Sequence, residues 1–511
     1  MSFDAGVDAA LGRDRESALH KVVQRLFTPE TSMNEIANIS DQPLVVPMSG
    51  QRNRVRAEAV PTAPRRWPLV GHLPFLIFSI LKARGNFAEA VRRMLRNFKR
   101  KTLQLRVGWK TVVISVDPGF ARRVLVDQAS DFPKARWEKR VLKPVMNGGL
   151  IVLEGNDWGE HRAAVAPCFS GSLMDELGAM VIDATRDRLA KWQRKIHIGA
   201  EMRAITSDVL ARFFLHDHRL SDGHHGSVDR YARTYARLEE GLEDRVFDPT
   251  GLVGGLKASV RRETRFSVAL DLVNRTISEQ VSRAAAQPSP RKTALEMMLG
   301  QLTQQAVCQE ITTLTAAGAT TVHLLTWACQ LLGTHPNIQR RLRCEIPSPS
   351  EDGKWVSALE RCSYLGAVIH EALRLYPPAP YLLRQALPTF ATGSSPDMPP
   401  PSSLVLISLW GMHRDPDFFP SPEEFIPERW LGTSGRGIEP NEAFLPFGMG
   451  PRICIGRRFA TIETMVILSE IVRGFEILPA QKKPVAPKLT ILTRPKKDVV
   501  MSVEPLLSAL A

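Results

Sequence analysis

A mainly helical fold with a smaller β-rich region is the class this sequence predicts. Apolar residues recur at helical spacing through most of the middle of the chain, whereas strict two-residue alternation is confined to short stretches near residue 103 and toward the C-terminus. Length is the third observation. With 511 residues, 44% of them hydrophobic and 23% charged, the chain can bury a large core of ordinary globular composition.

In chain order, residues 1–60 are mixed and polar, with a short amphipathic piece at Ala18–Phe27, and read as a poorly ordered extension or a small docking segment. Pro61 to Pro68 is proline-rich and stiff, and residues 61–511 follow as one continuous domain with no fixed-period repeat. The apolar run Leu69–Leu81 is interrupted by Gly71 and Pro74 and falls short of the roughly 20 residues that span a bilayer. The N-terminus carries Asp4, Asp8 and Asp14, which suits neither a secretory signal nor a transit peptide. A cytoplasmic protein without a transmembrane anchor is therefore expected. Six basic residues within Arg92–Lys101 form a solvated helix end or a peripheral contact with phospholipid.

Leu103–Val107 and Thr111–Val116 alternate with period two about Gly108-Trp109-Lys110 and predict two strands. Asp117-Pro118 is a helix start signal. Trp158–Phe169, Met174–Trp192, Thr206–Leu215 and Val228–Leu242 predict helices, and Leu404–Leu409 and Val499–Val503 predict further strands. Six cysteines without a C-x-x-C pair argue against a disulfide scaffold or a zinc site and favour a reducing compartment. The net charge of +14 comes with no recognisable nucleic-acid module, so no nucleic-acid partner is expected.

The densest signal is Phe447-Gly-Met-Gly450-Pro-Arg452-Ile-Cys454-Ile-Gly456, followed by a helical apolar pattern. Glycines let the loop bend and approach a ligand closely, and a cysteine just before a helix start is favoured as a thiolate by free N–H groups and the dipole. A lone cysteine is by default a small buried hydrophobe. The spacing of Phe447, Gly450, Arg452, Cys454 and Gly456, continued by Ala460 and Glu463, overturns that default. The segment resembles the haem-ligand loop of the cytochrome P-450 family. That resemblance covers about residues 61–511 and implies the P-450 prism fold. It also implies haem b (iron protoporphyrin IX) as cofactor, Cys454 as the iron ligand, Phe447 against the thiolate side of the haem, and Arg452 on a propionate.

Three further patterns join it. Glu371 and Arg374, i and i+3 on one helix, would alone be a surface ion pair. With Arg429 in Pro427-Glu-Arg-Trp430 they match the family's structural Glu/Arg/Arg triad. Thr315-Ala-Ala-Gly318-Ala-Thr-Thr321 interrupts a long apolar helix, and its small residues suit either close helix packing or space beside the helix. The resemblance makes this the patch over the oxygen-binding face, with Thr320 and Thr321 as catalytic candidates. One register puts Ala319 where the family has an acid, and the other puts Thr320 there. In both the acid is missing, so a polar group of the substrate or of another element is expected to complete proton delivery. Trp158-x-x-x-Arg162 and Arg384 match the family's further propionate donors. Ala316, Ala317, Leu382, Leu383 and the region of Met146 are candidate pocket linings, and His323 and His370 are read as packing or hydrogen-bonding residues.

The function implied is insertion of one oxygen atom of O2 into an apolar organic substrate. No dinucleotide fingerprint or flavin domain is visible. Electrons would therefore come from NAD(P)H through a separate ferredoxin or flavoprotein reductase, docking where Arg457 and Arg458 flank the loop. Two alternatives are a haem-thiolate enzyme that uses peroxide or rearranges an oxygenated substrate, and a non-catalytic haem-binding protein.

Overall fold

The computed structural model describes residues 71–83, 86–146, 148–215, 225–247, 255–287, 293–348, 355–390, 398–432 and 442–506. The expectations for residues 1–60, Ala18–Phe27 and Pro61–Pro68 lie outside them.

Helix α1 (Leu73–Lys82) occupies most of the early apolar run, and α2 (Phe87–Asn97) follows it. Arg92, Arg93 and Lys101 of the basic stretch that begins in α2 are paired within the protein, while Arg96, Lys99 and Arg100 are exposed. Arg92 holds Glu89 at 2.9 Å and Glu423 at 2.8 Å, and Lys101 holds Asp417 at 2.8 Å. Strands β1 (Thr102–Val107) and β2 (Lys110–Ser115) pair antiparallel, with Leu103 opposite Ile114 and Leu105 opposite Val112. The Asp117 carboxylate accepts from Phe120 N at 2.5 Å and caps the short helix that Pro118 begins.

Helices α3 (Arg136–Met146), α4 (Gly155–Val165), α5 (Ser172–Leu189), α6 (Ile198–Leu215), α7 (His225–Phe247) and α8 (Gly255–Ala286) fill the middle. Helix α6 begins eight residues before the predicted Thr206, because Ile198, Met202 and Ile205 already repeat at helical spacing and are buried. The long central segment is α9 (Gln304–Ala317) and α10 (Ala319–Thr334), separated only by Gly318. A Cβ at Gly318 would lie 2.4 Å from Leu210 Cδ1 on α6, so the glycine permits close helix packing there. Helix α10 is buried on nearly all sides and packs on α6, on α11 (Ser363–Leu375) and on α12 (Arg457–Gly474). Its Trp327 is fully buried, stacks on Tyr376 at 4.1 Å and donates to Thr493 O at 2.9 Å.

The β part is small. Strands β4 (Leu382–Gln385) and β5 (Leu404–Ile407) extend the first pair into the order β1-β2-β5-β4, with β2 and β5 parallel. Strand β3 (Lys195–His197), β6 (Phe475–Pro479) and β9 (Val500–Pro505) form a second sheet, and β7 (Pro487–Leu489) pairs with β8 (Thr493–Pro495). Among the described residues no single helix is long and apolar enough to cross a membrane.

Candidate active site

The Cys454 loop is a folded-back turn at the N-terminus of α12. Cys454 N donates to Phe447 O at 3.0 Å, and Gly448 and Gly450 both adopt positive φ, at 72° and 73°. A Cβ on Gly450 would sit 1.9 Å from the carbonyl oxygen of Leu125, so only glycine lets the loop lie this close to the 123–127 segment. Gly456 ends the loop as the N-cap of α12. Cys454 is exposed, yet protein surrounds its thiol densely. Burial pushes its pKa up, while the Gly456 N–H and the charges of Arg162 and Arg457 pull it down. Cys168 and Cys329, by contrast, are pushed up to about 12 by burial.

Cations converge near the Cys454 loop. Arg162 donates to Ile453 O at 3.0 Å, and its side chain lies one helical turn from Trp158 on α4. Arg452 lies 4.2 Å from the Trp158 ring, donates to Leu153 O at 2.8 Å and to Leu150 O at 3.3 Å, and pairs with Glu154. Arg384 is buried and, among the described residues, makes one hydrogen bond, to the neighbouring Leu383 O at 2.8 Å. Burial lowers the pKa of both, and at Arg452 repulsion from Arg384 adds to it. A buried guanidinium with open donors calls for an anion. Ala317, the last residue of α9, is exposed where the surrounding central segment is otherwise covered. An accessible thiol, an under-partnered Arg384 and a bare Ala317 fit a large flat cofactor carrying carboxylates.

Ala316, Ala317, Thr320, Leu382, Leu383, Arg384, Arg452 and Met146 line one cavity of about 290 Å³. The two threonines part company. Thr320 lines the cavity and its Oγ1 donates to Ala317 O at 2.8 Å, whereas Thr321 is buried against the core. This favours the register with Ala319 at the acid position. His323 bonds Glu239 at 2.5 Å, and His370 packs its ring edge on Trp430 and Phe444, each at 5.4 Å. Glu371, Arg374 and Arg429 come together in a buried cluster beside α11, where Arg374 holds Glu371 through two 2.8 Å bonds and Arg429 adds one at 3.0 Å.

Sequence reasoning missed two buried acids as site neighbours. Glu310 on α9 is fully buried, bonds His161 at 2.6 Å and Leu150 N at 3.2 Å, and so fixes the segment after Met146 against α9. Glu463, noted in the sequence only as continuing the cysteine pattern, is the other. It is 1% exposed, and neither carboxyl oxygen closes a hydrogen bond. The hydroxyls of Thr206 and Thr321 face it at the limit of hydrogen-bonding range, and burial raises its pKa to about 8.

A pH dependence follows. The unfolded Glu463 carboxyl loses its proton near its ordinary 4.5, and the folded one holds it to about 8. Stability therefore falls as pH rises through that window, by about 1.4 kcal/mol per unit from this group. In Glu463→Gln this slope should vanish. Denaturant titrations at four pH values between the two limits check it. Parallel curves for the two proteins would mean that the carboxyl is already ionised.

Comparison with known proteins points the same way. The profile of the cytochrome P-450 family matches residues 61–502. Cyclooctatin synthase of Streptomyces melanosporofaciens is 29% identical over 83% of this chain and 92% of its own length. Cyclooctat-9-en-7-ol 5-monooxygenase of the same organism is 28% identical over 82% and 89%. Cytochrome P-450 4A11 of Homo sapiens is 27% identical over 86% and 87%.

Proposed function

The chain belongs to the cytochrome P-450 family and is a haem-thiolate monooxygenase, and we propose that Cys454 is the residue through which it holds the haem iron. The observation that carries this reading is the Cys454 thiol itself. It is exposed although protein packs densely around it, and the charges of Arg162 and Arg457 partly offset the burial that raises its pKa. Haem b, when bound, supplies the iron at which O2 is reduced and one oxygen atom passes to carbon. The balance is R–H, O2, two electrons and two protons giving R–OH and water.

The protein's own residues do the rest. Arg384, Arg452 and the Trp158 N–H would hold the cofactor carboxylates, and Arg162 supports the Cys454 loop through Ile453 O. Ala316 and Ala317 keep the opposite wall low. Thr320, its proton donated to Ala317 O, keeps its lone pairs free to accept from a water in the cavity. Glu463 is the polar group from another element that the missing acid calls for. Protonated near neutral pH, it holds a proton behind the Thr320-Thr321 step, next to Thr321. Glu371, Arg374 and Arg429 brace the side of the fold that carries the Cys454 loop.

Arg457 and Arg458 are exposed beside that loop and form the docking face for an acidic carrier, a ferredoxin or a flavoprotein reductase, in the cytoplasm. The domain extends over residues 61–511, and residues 1–60 are an extension of it. Turnover under ¹⁸O2 with NAD(P)H, a ferredoxin reductase and a ferredoxin should place one labelled oxygen atom in the product. The rate of reduction by the carrier should fall several-fold between about 0.05 and 0.5 M salt. Unlabelled product, or turnover with peroxide alone, would favour the peroxide-using alternative. Salt-independent reduction would remove the docking face.

A further inference from the structure

Glu310 on α9 is fully buried, and among the described residues neither a guanidinium nor an ammonium bonds it. A buried acid without such a partner is costly to keep. Its two oxygens serve two segments. Oε1 bonds His161 Nδ1 at 2.6 Å, which fixes the rotation of the carboxyl against α4. Oε2 accepts from Leu150 N at 3.2 Å.

Leu150 passes that contact on. Across its Cα, Leu150 O accepts from Arg452 Nη1 at 3.3 Å, and Leu153 O accepts from Arg452 Nη2 at 2.8 Å. The same segment ends in Glu154, the ion partner of Arg452. Val152 N and Leu153 N both donate to Gly149 O, at 2.9 and 3.2 Å, so residues 149–153 form one tight turn. Its glycines lay it directly on α9. Gly148 has a φ of 80°, and a Cβ on Gly149 would lie 1.9 Å from Thr313 Oγ1, one helical turn from Glu310.

All the hydrogen bonds that Arg452 makes among the described residues go to residues 150–154, so its direction is set there and not by its own loop. A guanidinium has five N–H groups. The bonds to this segment leave Nε and one hydrogen of Nη1 open to an anion. We propose that Glu310 is a positioning residue for cofactor binding, which sets through Leu150 where the Arg452 guanidinium stands. The inference rests on the reading that Arg452 holds a cofactor carboxylate.

A double-mutant cycle on the haem-loaded full chain tests it, read as the rate of haem loss to excess apomyoglobin and as the haem reduction potential. Arg452→Ala should speed haem loss about tenfold and Glu310→Ala about fivefold. The double variant should lose haem within about twofold of the rate of Arg452→Ala alone, because the effect of Glu310 runs through Arg452. Glu310→Gln keeps an acceptor for Leu150 N and should stay within about twofold of the parent. A nearby cation favours the reduced, more negative haem, so Glu310→Ala should move the potential in the negative direction. Added to Arg452→Ala, it should move the potential no further. Single effects that multiply in full, or a Glu310→Ala protein that loses haem at the parent's rate, would overturn the proposal. If Glu310→Ala accumulates too little haem-loaded protein, Glu310→Asp, one methylene short of Leu150 N, goes through the same cycle and should give the same pattern in smaller steps. An Arg452→Ala protein that keeps its haem as the parent does would instead remove Arg452 from the cofactor carboxylates, and so overturn the reading beneath the proposal.

Discussion

Replacing Cys454 with histidine should give a protein whose reduced carbonyl complex lacks the strongly red-shifted Soret band of haem-thiolate proteins, and whose monooxygenase turnover falls about 10³-fold or more. Such a fall corresponds to about 4 kcal/mol of lost transition-state stabilisation. The argument is chemical. A thiolate pushes electron density toward the bond to be cleaved, and a neutral imidazole does so far less. Position matters too, because Cys454 lies between a glycine loop that closes on Phe447 O and the first turn of α12. The other cysteines offer no substitute. Cys168 and Cys329 are buried with their thiols pushed up to about 12, and Cys344 lies exposed on the surface. Cys344→Ser should therefore leave the spectrum unchanged. A Cys454→His protein that keeps the red-shifted band would end the assignment.

The Cys454 loop was legible because its chemistry restricts the residue types themselves. Gly450 cannot carry a Cβ beside Leu125 O, and that constraint is written into the sequence as a glycine. The central helix was legible for a similar reason, since small residues at 316–319 mark a place where something else must fit. What the sequence withheld are partnerships between distant segments. Nothing near Glu310 announces His161, and nothing near Glu243 announces Arg494, Lys488 and Thr490. Those contacts arise only when the helices pack, and an acid on an apolar helix reads the same whether its partner is water or a buried guanidinium. The basic run at Arg92–Lys101 was legible as a solvated helix end, since Arg93, Arg96, Lys99 and Arg100 are exposed, but the pairing of Arg92 with Glu423 and of Lys101 with Asp417 was not. Thr320 and Thr321 could be named as a pair from sequence, yet only the fold separates the one facing the cavity from the one facing Glu463.

Arg374→Ala should cost about 3–5 kcal/mol, a large share of the roughly 5–15 kcal/mol that holds most domains folded, and should leave little haem-loaded protein. The size follows from where the pair sits. Glu371 and Arg374 are both 0% exposed, so removing the cation strands an anion whose pKa Arg374 holds low against burial. The pair is also the centre of a larger net. Arg374 donates to His413 O at 2.9 Å, Pro422 O at 2.6 Å and Glu424 O at 2.9 Å. Glu371 accepts from Ile426 N at 3.0 Å, Arg429 Nε at 3.0 Å and Trp430 Nε1 at 2.9 Å. For an isolated buried pair, apolar replacement of both members is often neutral or stabilising. Here the double variant Glu371→Leu/Arg374→Met would remove the pair's bonds to all of those outer partners, of which Arg429 alone keeps Pro420 O, so it should not recover the loss. Denaturant midpoints and the haem-to-protein ratio of the single and double variants decide the matter. A double variant as stable as the parent would mean that the net around the pair contributes nothing. A single variant with the parent's midpoint and haem content would mean that the brace does not support the Cys454 side of the fold.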